Sequence, residues 1–237
     1  MTIRGILFDK DGTLLDYDAT WVPINRKAAR LVANGDDRLA MELLRLGGQD
    51  DGSATVASGS VLAAGTTVEL AALWARHAPA HGFADLTAAL DDIFQREGAV
   101  HAAPVSGLVD TLRRLETQGL ILGVATSDSE AGALATLEPF DVLQYFDFVA
   151  GYDSGFGPKP EPGMVLAFCR AAGLSPEEVM VVGDNRHDME MRARGKVGLR
   201  VGVLTGTSRH EELAPLADHV LTNIAEIIGL IQRVEGG

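Results

Sequence analysis

Residues 3–13 read IRGILFDKDGT, a mostly apolar run followed at once by two aspartates. The run Ile3–Phe8 predicts a buried strand, because strands of a parallel sheet that is covered on both faces are near-continuous hydrophobic runs. Asp9 and Asp11 follow the carboxyl end of that strand, where open parallel sheets bind their ligands. The stretch therefore predicts the first strand of an α/β fold and the position of its binding site.

Further apolar runs of the same kind occur later in the chain, and helical patterns separate them. The runs are Leu120–Ala125, Phe146–Ala150, Val179–Val182, Leu199–Leu204 and His219–Leu221. The helical patterns lie at about 107–117, 129–137, 162–172, 188–194, 209–216 and 224–234. Strands that alternate with helices are typical of βαβ units. We predict a doubly wound, Rossmann-like parallel sheet with helices on both faces.

Residues 16–98 depart from this alternation. They contain no convincing strand, and their glycine-rich stretches at Gly47-Gly48 and at residues 52–65 indicate loops. Helical patterns lie at 26–33, 38–46, 68–78 and 86–96. We predict an α/β core formed by residues 1–15 and 99–237, into which residues 16–98 are inserted as a helical domain.

Composition and charge narrow the classes of function. Of the 237 residues, 46% are hydrophobic and 22% are charged, as in folded globular proteins. The net charge of −13 repels a phosphate backbone, so we expect no nucleic-acid partner. A single cysteine, Cys169, an N-terminus that runs directly into a strand, and apolar runs shorter than about 18 residues predict no internal disulfide, no membrane partner and a cytoplasmic location. The oligomeric state stays open between monomer and homodimer.

Polar side chains follow four of the predicted strands. They are Asp9 and Asp11 after the first strand, Thr126, Ser127 and Asp128 after the second, Asp153 and, further along the same loop, Lys159 after the third, and Asp184 after the fourth. Because the carboxyl ends of parallel strands meet at one edge of the sheet, we expect these residues to lie close together.

The residue types at this edge suit phosphoryl chemistry. Two carboxylates two residues apart can divide the work, one attacking phosphorus and the other moving a proton. Gly12 permits a sharp turn whose amides can meet phosphoryl oxygens. Carboxylates repel a dianionic phosphate, so a hard cation is needed between them, and oxygen ligands such as that of Asp184 suit Mg²⁺. Lys159 can neutralise the phosphate, and the Thr126 hydroxyl can donate to it.

Four segments, in this order, resemble the motifs of the haloacid dehalogenase superfamily. They are Phe8–Leu14, Gly123–Ser127, Gly157–Pro160 and Val182–Asp188. The resemblance covers the whole predicted core, and the insert after the first strand is similar to the cap domain of the phosphoglycolate phosphatase and β-phosphoglucomutase branches. An aspartate at position 11, where the dehalogenases have none, favours a phosphatase or a phosphomutase.

The resemblance implies a Mg²⁺-dependent phosphatase that acts on a small phosphorylated metabolite, such as phosphoglycolate or a sugar phosphate. It implies Asp9 as the nucleophile that becomes an aspartyl-phosphate and Asp11 as the general acid and base. The remaining implied roles are metal binding by Asp9, the carbonyl of Asp11 and Asp184, phosphate binding by Thr126, Ser127 and Lys159, and support from Gly12, Thr13 and Asp188.

Other interpretations stay open at this stage. A phosphomutase would return the phosphoryl group to the substrate, a receiver-like domain would keep it on an aspartate, and a catalytically silent domain would only bind. Arg45, at a predicted helix end in the insert, is a candidate for a substrate carboxylate but also suits a helix terminus. Lys10 is expected to point away from both aspartates by strand alternation. Asp128 and Asp153 are interpreted as turn residues.

Overall fold

The computed structural model describes residues 2–50, 52–78 and 83–235. Its strands are β1 (Gly5–Phe8), β2 (Gln49–Asp50), β3 (Thr55–Val56), β4 (Ile121–Ala125), β5 (Phe148–Ala150), β6 (Val179–Gly183), β7 (Leu199–Val203) and β8 (His219–Leu221). Six of them form a sheet in the order β5-β4-β1-β6-β7-β8, and every pair in it is parallel. The doubly wound fold class predicted from the sequence is confirmed.

The first strand lies at the centre of this sheet. Phe8 pairs with Val124 of β4 on one side and with Val182 of β6 on the other. The chain builds the sheet outward through β4 to β5 and then crosses over to β6, so the strand order reverses at β1. Crevices at such a reversal are where doubly wound sheets bind ligands. The residues that follow β1, β4 and β6 therefore share the position that the fold favours for a site.

Helices cover both faces of the sheet and also fill the insert. They are α1 (Tyr17–Val32), α2 (Asp37–Gly47), α3 (Val61–Ala64), α4 (Thr67–Ala75), α5 (Phe83–His101), α6 (Leu108–Thr117), α7 (Glu130–Leu137), α8 (Gly163–Ala172), α9 (Arg186–Gly195), α10 (His210–Leu213) and α11 (Ile227–Glu235). Successive β1 residues enter different clusters: Ile6 and Phe8 pack with α6 and α11, whereas Leu7 packs with α8. This alternation is why an almost wholly apolar strand was required.

The segment between β1 and α6 has a hydrophobic cluster of its own. Trp21, Leu43, Trp74 and Leu90 are among its buried members and come from α1, α2, α4 and α5. Thr66 and Glu69 form a capping box at the start of α4, which explains why a helix begins there. The division into two domains stays a prediction, and α5 continues to His101, past the predicted boundary at 98.

One local prediction in this segment was wrong, and one helix is longer than predicted. The segment contains a short antiparallel pair, β2 with β3, although no strand was expected. Each strand has only two residues, too few for a hydrophobic alternation to show. The helix predicted at 26–33 is present as part of α1, which begins earlier, at Tyr17, where the Asp16 side chain caps it; Pro23 lies inside this helix. Among the described helices, none is both long and apolar enough to cross a membrane.

Candidate active site

The carboxyl edge of the central strands brings the predicted site residues together. Asp9 continues β1, and its N–H donates to Val182 O at 2.8 Å. Thr126 continues β4, and its N–H donates to Ala150 O at 2.9 Å. Asp184 follows β6, and all three side chains are buried. The backbone pairing of the strands therefore sets the positions of these polar groups.

Lys159 links the first strand to the start of α9. Its buried ammonium donates to Asp9 Oδ1 and, at 2.7 Å, to Asp188 Oδ1. Burial disfavours the charged ammonium, but Asp188 and Asp9 outweigh burial and raise the pKa of Lys159 above its ordinary value. The lysine is therefore a fixed positive charge at neutral pH, and unpairing it would leave a buried charge uncompensated.

Three carboxylates surround this charge. Ligand oxygens of Asp9, Asp184 and Asp188 all lie within 4.8 Å of one another, and the three residues are buried. Burial, together with repulsion from Asp188 and Asp11, raises the pKa of Asp9 to about 7 in spite of Lys159. Burial and the neighbouring carboxylates raise the pKa of Asp184 in the same way. Buried carboxylate oxygens that repel one another fit a hard divalent cation, so this cluster can hold a metal ion.

Close backbone contacts hold Asp184 in place. The N–H of Thr207 donates to Asp184 Oδ2 at 2.8 Å. Gly12 has a φ of +79°, and a Cβ there would lie 2.7 Å from Asp184 Oδ2. A Cβ on Gly206 would lie 1.9 Å from the same oxygen. Glycine is thus favoured at both positions, and the supporting role of Gly12 stays a prediction. Thr13 is fully buried, and within the described part of the chain its hydroxyl has no hydrogen-bond partner.

Asp11 lies in a second group of charges. Its Oδ1 accepts from Lys10 Nζ at 2.7 Å and from Trp21 Nε1 at 2.6 Å. Lys10 is fully buried and also lies 3.2 Å from Asp128 Oδ2. Burial opposes its charge, but Asp11 and Asp128 raise the pKa of Lys10 above its ordinary value. The expectation that Lys10 points away from Asp11 was wrong, because β1 ends at Phe8 and strand alternation no longer applies beyond it.

A cavity of about 70 Å³, open to solvent, lies between the sheet edge and the insert. Its lining includes Asp9, Asp11, Thr126, Ser127, Asp128 and Asn185 of the core and Tyr17, Trp21, Asn25, Leu62, Thr67 and Phe94 of the insert. The Ser127 hydroxyl donates to Ala64 O at 3.2 Å, and His187 Nδ1 lies 3.3 Å from the same oxygen. Thr126 Oγ1 accepts from Asp128 N at 3.1 Å, so the hydroxyl proton stays available for a ligand.

Two predicted candidates lie elsewhere. Arg45 is exposed in the last turn of α2 and does not line this cavity, so it has the position of a helix-terminal basic residue. Asp153 accepts from Glu130 N at 2.8 Å at the start of α7, which fits its interpretation as a turn residue. Asp128 is more than a turn residue, since it lines the cavity and faces Lys10.

Sequence reasoning missed the parts played by Lys10, Trp21 and Thr207. The position of Lys10 between two aspartates was a signal, but strand alternation was applied beyond Phe8, where the strand ends. Trp21 carried no local signal, because its contact with Asp11 depends on how α1 packs. Thr207 contributes a backbone N–H, which any residue except proline could supply.

Fold and site together define a class of protein. The strand order of the doubly wound sheet reverses at β1, a lysine is buried among carboxylates there, and a cavity lies beside them. These features are typical of an α/β enzyme whose active site lies at the strand ends. A family model, haloacid dehalogenase-like hydrolase, matches residues 3–196. The chain belongs to this family, as the sequence motifs predicted, and it is a hydrolase.

Known proteins similar to this chain include two phosphatases. N-acetylmuramic acid 6-phosphate phosphatase of Pseudomonas putida KT2440 is 26% identical over 91% of this chain and 86% of its own length. Phosphoglycolate phosphatase of Escherichia coli K12 is 29% identical over 84% of this chain and 82% of its own length. The predicted enzyme class, a phosphatase of the haloacid dehalogenase type, agrees with the family and with both relatives.

A solved structure shows the same fold. The crystal structure of a predicted phosphoglycolate phosphatase from Haemophilus somnus 129PT has a TM-score of 0.75 and covers 98% of this chain and 99% of its own, at 20% identity.

Proposed function

We propose that this protein hydrolyses a small phosphomonoester with Mg²⁺, through an aspartyl-phosphate on Asp9. The observation that carries the proposal is the buried cluster of Asp9, Lys159, Asp184 and Asp188 at the strand ends. Such a cluster combines a carboxylate nucleophile, a fixed positive charge and oxygen ligands for a divalent cation. The two phosphatase relatives support the same reaction type.

Asp9, Asp184 and Asp188 would hold the cation. Its positive charge would offset the repulsion between these carboxylates and a phosphoryl group. The cluster in the structure includes the Asp188 carboxylate, for which the family resemblance implied only a supporting role. The Asp11 carboxylate instead binds Lys10 and Trp21, which leaves its backbone carbonyl as the group proposed for the cation.

The chemical steps follow from the placement of the two aspartates. Lys159 holds Oδ1 of Asp9, so Oδ2 attacks phosphorus, and the bond between phosphorus and the leaving oxygen breaks. Asp11 gives its proton to that oxygen and the alcohol departs. Water then attacks phosphorus and gives a proton to Asp11, and inorganic phosphate and free Asp9 result. Thr126 and Lys159 bind the phosphoryl oxygens during both steps.

The cavity favours an uncharged alcohol over a carboxylate-bearing one. Trp21, Leu62 and Phe94 supply apolar surface, and Asn25 and Thr67 supply polar groups. The cavity-lining residues that the structure describes include no lysine, arginine or histidine. A sugar phosphate, with apolar ring faces and hydroxyl groups, fits such walls better than phosphoglycolate, whose carboxylate would lack a cationic partner.

A screen of phosphorylated two- to six-carbon metabolites tests the function. The purified protein is incubated with each compound, with and without Mg²⁺, and inorganic phosphate is measured. We expect Mg²⁺-dependent phosphate release by the wild type and none by Asp9→Asn. Isomerisation of a sugar phosphate without net phosphate release would instead identify a phosphomutase. A phosphorylated protein that does not turn over would contradict both.

A further inference from the structure

Lys10 is a buried lysine that the proposed reaction does not yet use. Its side chain is completely buried, and its ammonium contacts Asp11 Oδ1 and Asp128 Oδ2. A buried lysine needs a carboxylate partner, and either aspartate alone would meet that need. One of its partners is the carboxylate proposed to move the proton, and this suggests that the lysine contributes to the reaction as well as to stability.

Trp21 approaches the same oxygen from the insert. Its indole N–H donates to Asp11 Oδ1, while its ring lies 5.0 Å from Lys10 Nζ. The ring is held in turn by an edge contact with Phe94, with centroids 5.6 Å apart and an interplanar angle of 85°. Two rigidly held donors, one from the core and one from the insert, therefore converge on one carboxylate oxygen.

Two donors on Oδ1 determine which oxygen of Asp11 can carry the acid proton. If Oδ1 carried the proton, its O–H would face the N–H groups of Lys10 and Trp21, which need an acceptor. The acid proton of Asp11 is therefore carried by Oδ2. Rotation about the carboxylate torsion is otherwise broad, and the two hydrogen bonds restrict it. The arrangement presents Oδ2 to the cavity in one orientation.

We propose that Lys10 and Trp21 are positioning residues for proton transfer by Asp11, an inference that rests on the proposed function. They hold Asp11 Oδ1, and Oδ2 delivers its proton to the leaving oxygen as the bond from that oxygen to phosphorus breaks. Asp9 forms the new bond to phosphorus in the same step. Loss of either donor lets the carboxylate rotate, and esters that need a protonated leaving group are affected most.

Two aryl esters of similar shape isolate this step. Phenyl phosphate releases a strongly basic phenolate that needs a proton, whereas the nitrophenolate of p-nitrophenyl phosphate is a weaker base and needs it less. The rate of phenol or nitrophenol release is measured in a single turnover, with enzyme in excess and Mg²⁺ present. Wild type, Lys10→Met and Trp21→Phe are compared. We expect Lys10→Met to slow the cleavage of phenyl phosphate by about 100-fold. Its cleavage of p-nitrophenyl phosphate should slow by about tenfold or less. Trp21→Phe should change the ratio of the two cleavage rates in the same direction by a smaller factor. Asp11→Asn gives the largest change in this ratio that loss of the acid can cause.

Matched controls separate positioning from general damage. Lys27→Met removes an exposed lysine that pairs with Glu97, and Trp74→Phe removes a buried indole N–H that donates to Leu43 O at 2.9 Å. Neither residue contacts Asp11, and neither control shifts the ratio between the esters. An equal loss on both esters in Lys10→Met, or no loss, overturns the inference and leaves the phosphatase proposal intact. If Lys10→Met does not fold, the ratio in Trp21→Phe decides by the same criterion. Wild type that cleaves neither ester overturns the proposed function together with the inference.

Discussion

Two lysines are buried at the candidate site, and each lies between two aspartates. Lys159 bridges Asp9 and Asp188, while Lys10 bridges Asp11 and Asp128. In both cases the aspartates outweigh the effect of burial and raise the pKa of the lysine. The same solution to burying a positive charge therefore occurs twice at one sheet edge.

The two groups differ in what surrounds them. Lys159 lies beside Asp184, in the cluster that can hold a metal ion. Lys10 lies beside Trp21, which comes from the insert and contacts the same oxygen of Asp11. The comparison suggests that the two groups carry out different parts of the proposed reaction. The Lys159 group would bind the phosphoryl group and stabilise its charge, and the Lys10 group would control proton transfer by Asp11.

The largest effect is expected from Asp9, the proposed nucleophile on the Lys159 side. Asp9→Asn keeps the shape of the side chain but removes the attacking carboxylate oxygen, so phosphate release should fall by about 10⁴-fold or more. Asp153→Asn is the matched control, because the Asp153 carboxylate accepts a backbone hydrogen bond from Glu130 at the start of α7. Activity of Asp9→Asn close to that of the control would remove Asp9 from its proposed role.

A variant of the other lysine tests the division directly. Lys159→Met should slow phosphoryl transfer by about 10²- to 10³-fold, because it removes a fixed charge from the phosphoryl group. The loss should be similar for phenyl and p-nitrophenyl phosphate, unlike that of Lys10→Met. If Lys159→Met also favours the better leaving group, the two lysines do not divide the work and the comparison fails.

Neither lysine is placed to bind a substrate carboxylate, since neither lines the cavity and Lys159 is assigned to the phosphoryl group. We therefore expect kcat/KM for a six-carbon sugar phosphate to exceed that for phosphoglycolate by about tenfold or more. This factor corresponds to the free-energy cost of leaving one polar group without a partner. Steady-state phosphate release at matched Mg²⁺ measures the ratio. A preference for phosphoglycolate would show that a cation reaches the cavity.

The smallest effect concerns stability and pH. Because the pKa of Asp9 is raised to about 7 without a metal ion, ionisation of Asp9 does not affect stability below its unfolded pKa near 3.8. It destabilises the fold increasingly as pH rises towards 7. The proposed Mg²⁺ would bind the deprotonated carboxylates, so it should raise Tm by about 5 °C at pH 8 and less at pH 5.

Thermal unfolding with Mg²⁺ or EDTA at the two pH values measures this difference. Asp184→Asn should lose the Mg²⁺ shift at both pH values, and Asp153→Asn should keep it. A shift that is larger at pH 5 would contradict the carboxylate cluster as the metal site.

Much of this arrangement was predictable from strand ends. Asp9, Thr126 and Asp184 each follow a strand of the central sheet, and Lys159 reaches the same edge from a loop. Arg45 lies on an exposed helix end and not at the cavity. The sequence could not predict this, because one residue near a glycine pair does not specify which way a helix faces.

The sequence by itself determined the sheet, the edge that carries the site and the family, because apolar runs and the polar residues after them are local features that parallel pairing brings together. Only the tertiary structure decided the partners of Asp11. The chain leaves the strand geometry after Phe8, so Lys10 turns toward Asp11, and Trp21 arrives because α1 packs against the insert's own hydrophobic cluster. Contacts of this kind depend on packing between distant segments, which no local pattern encodes.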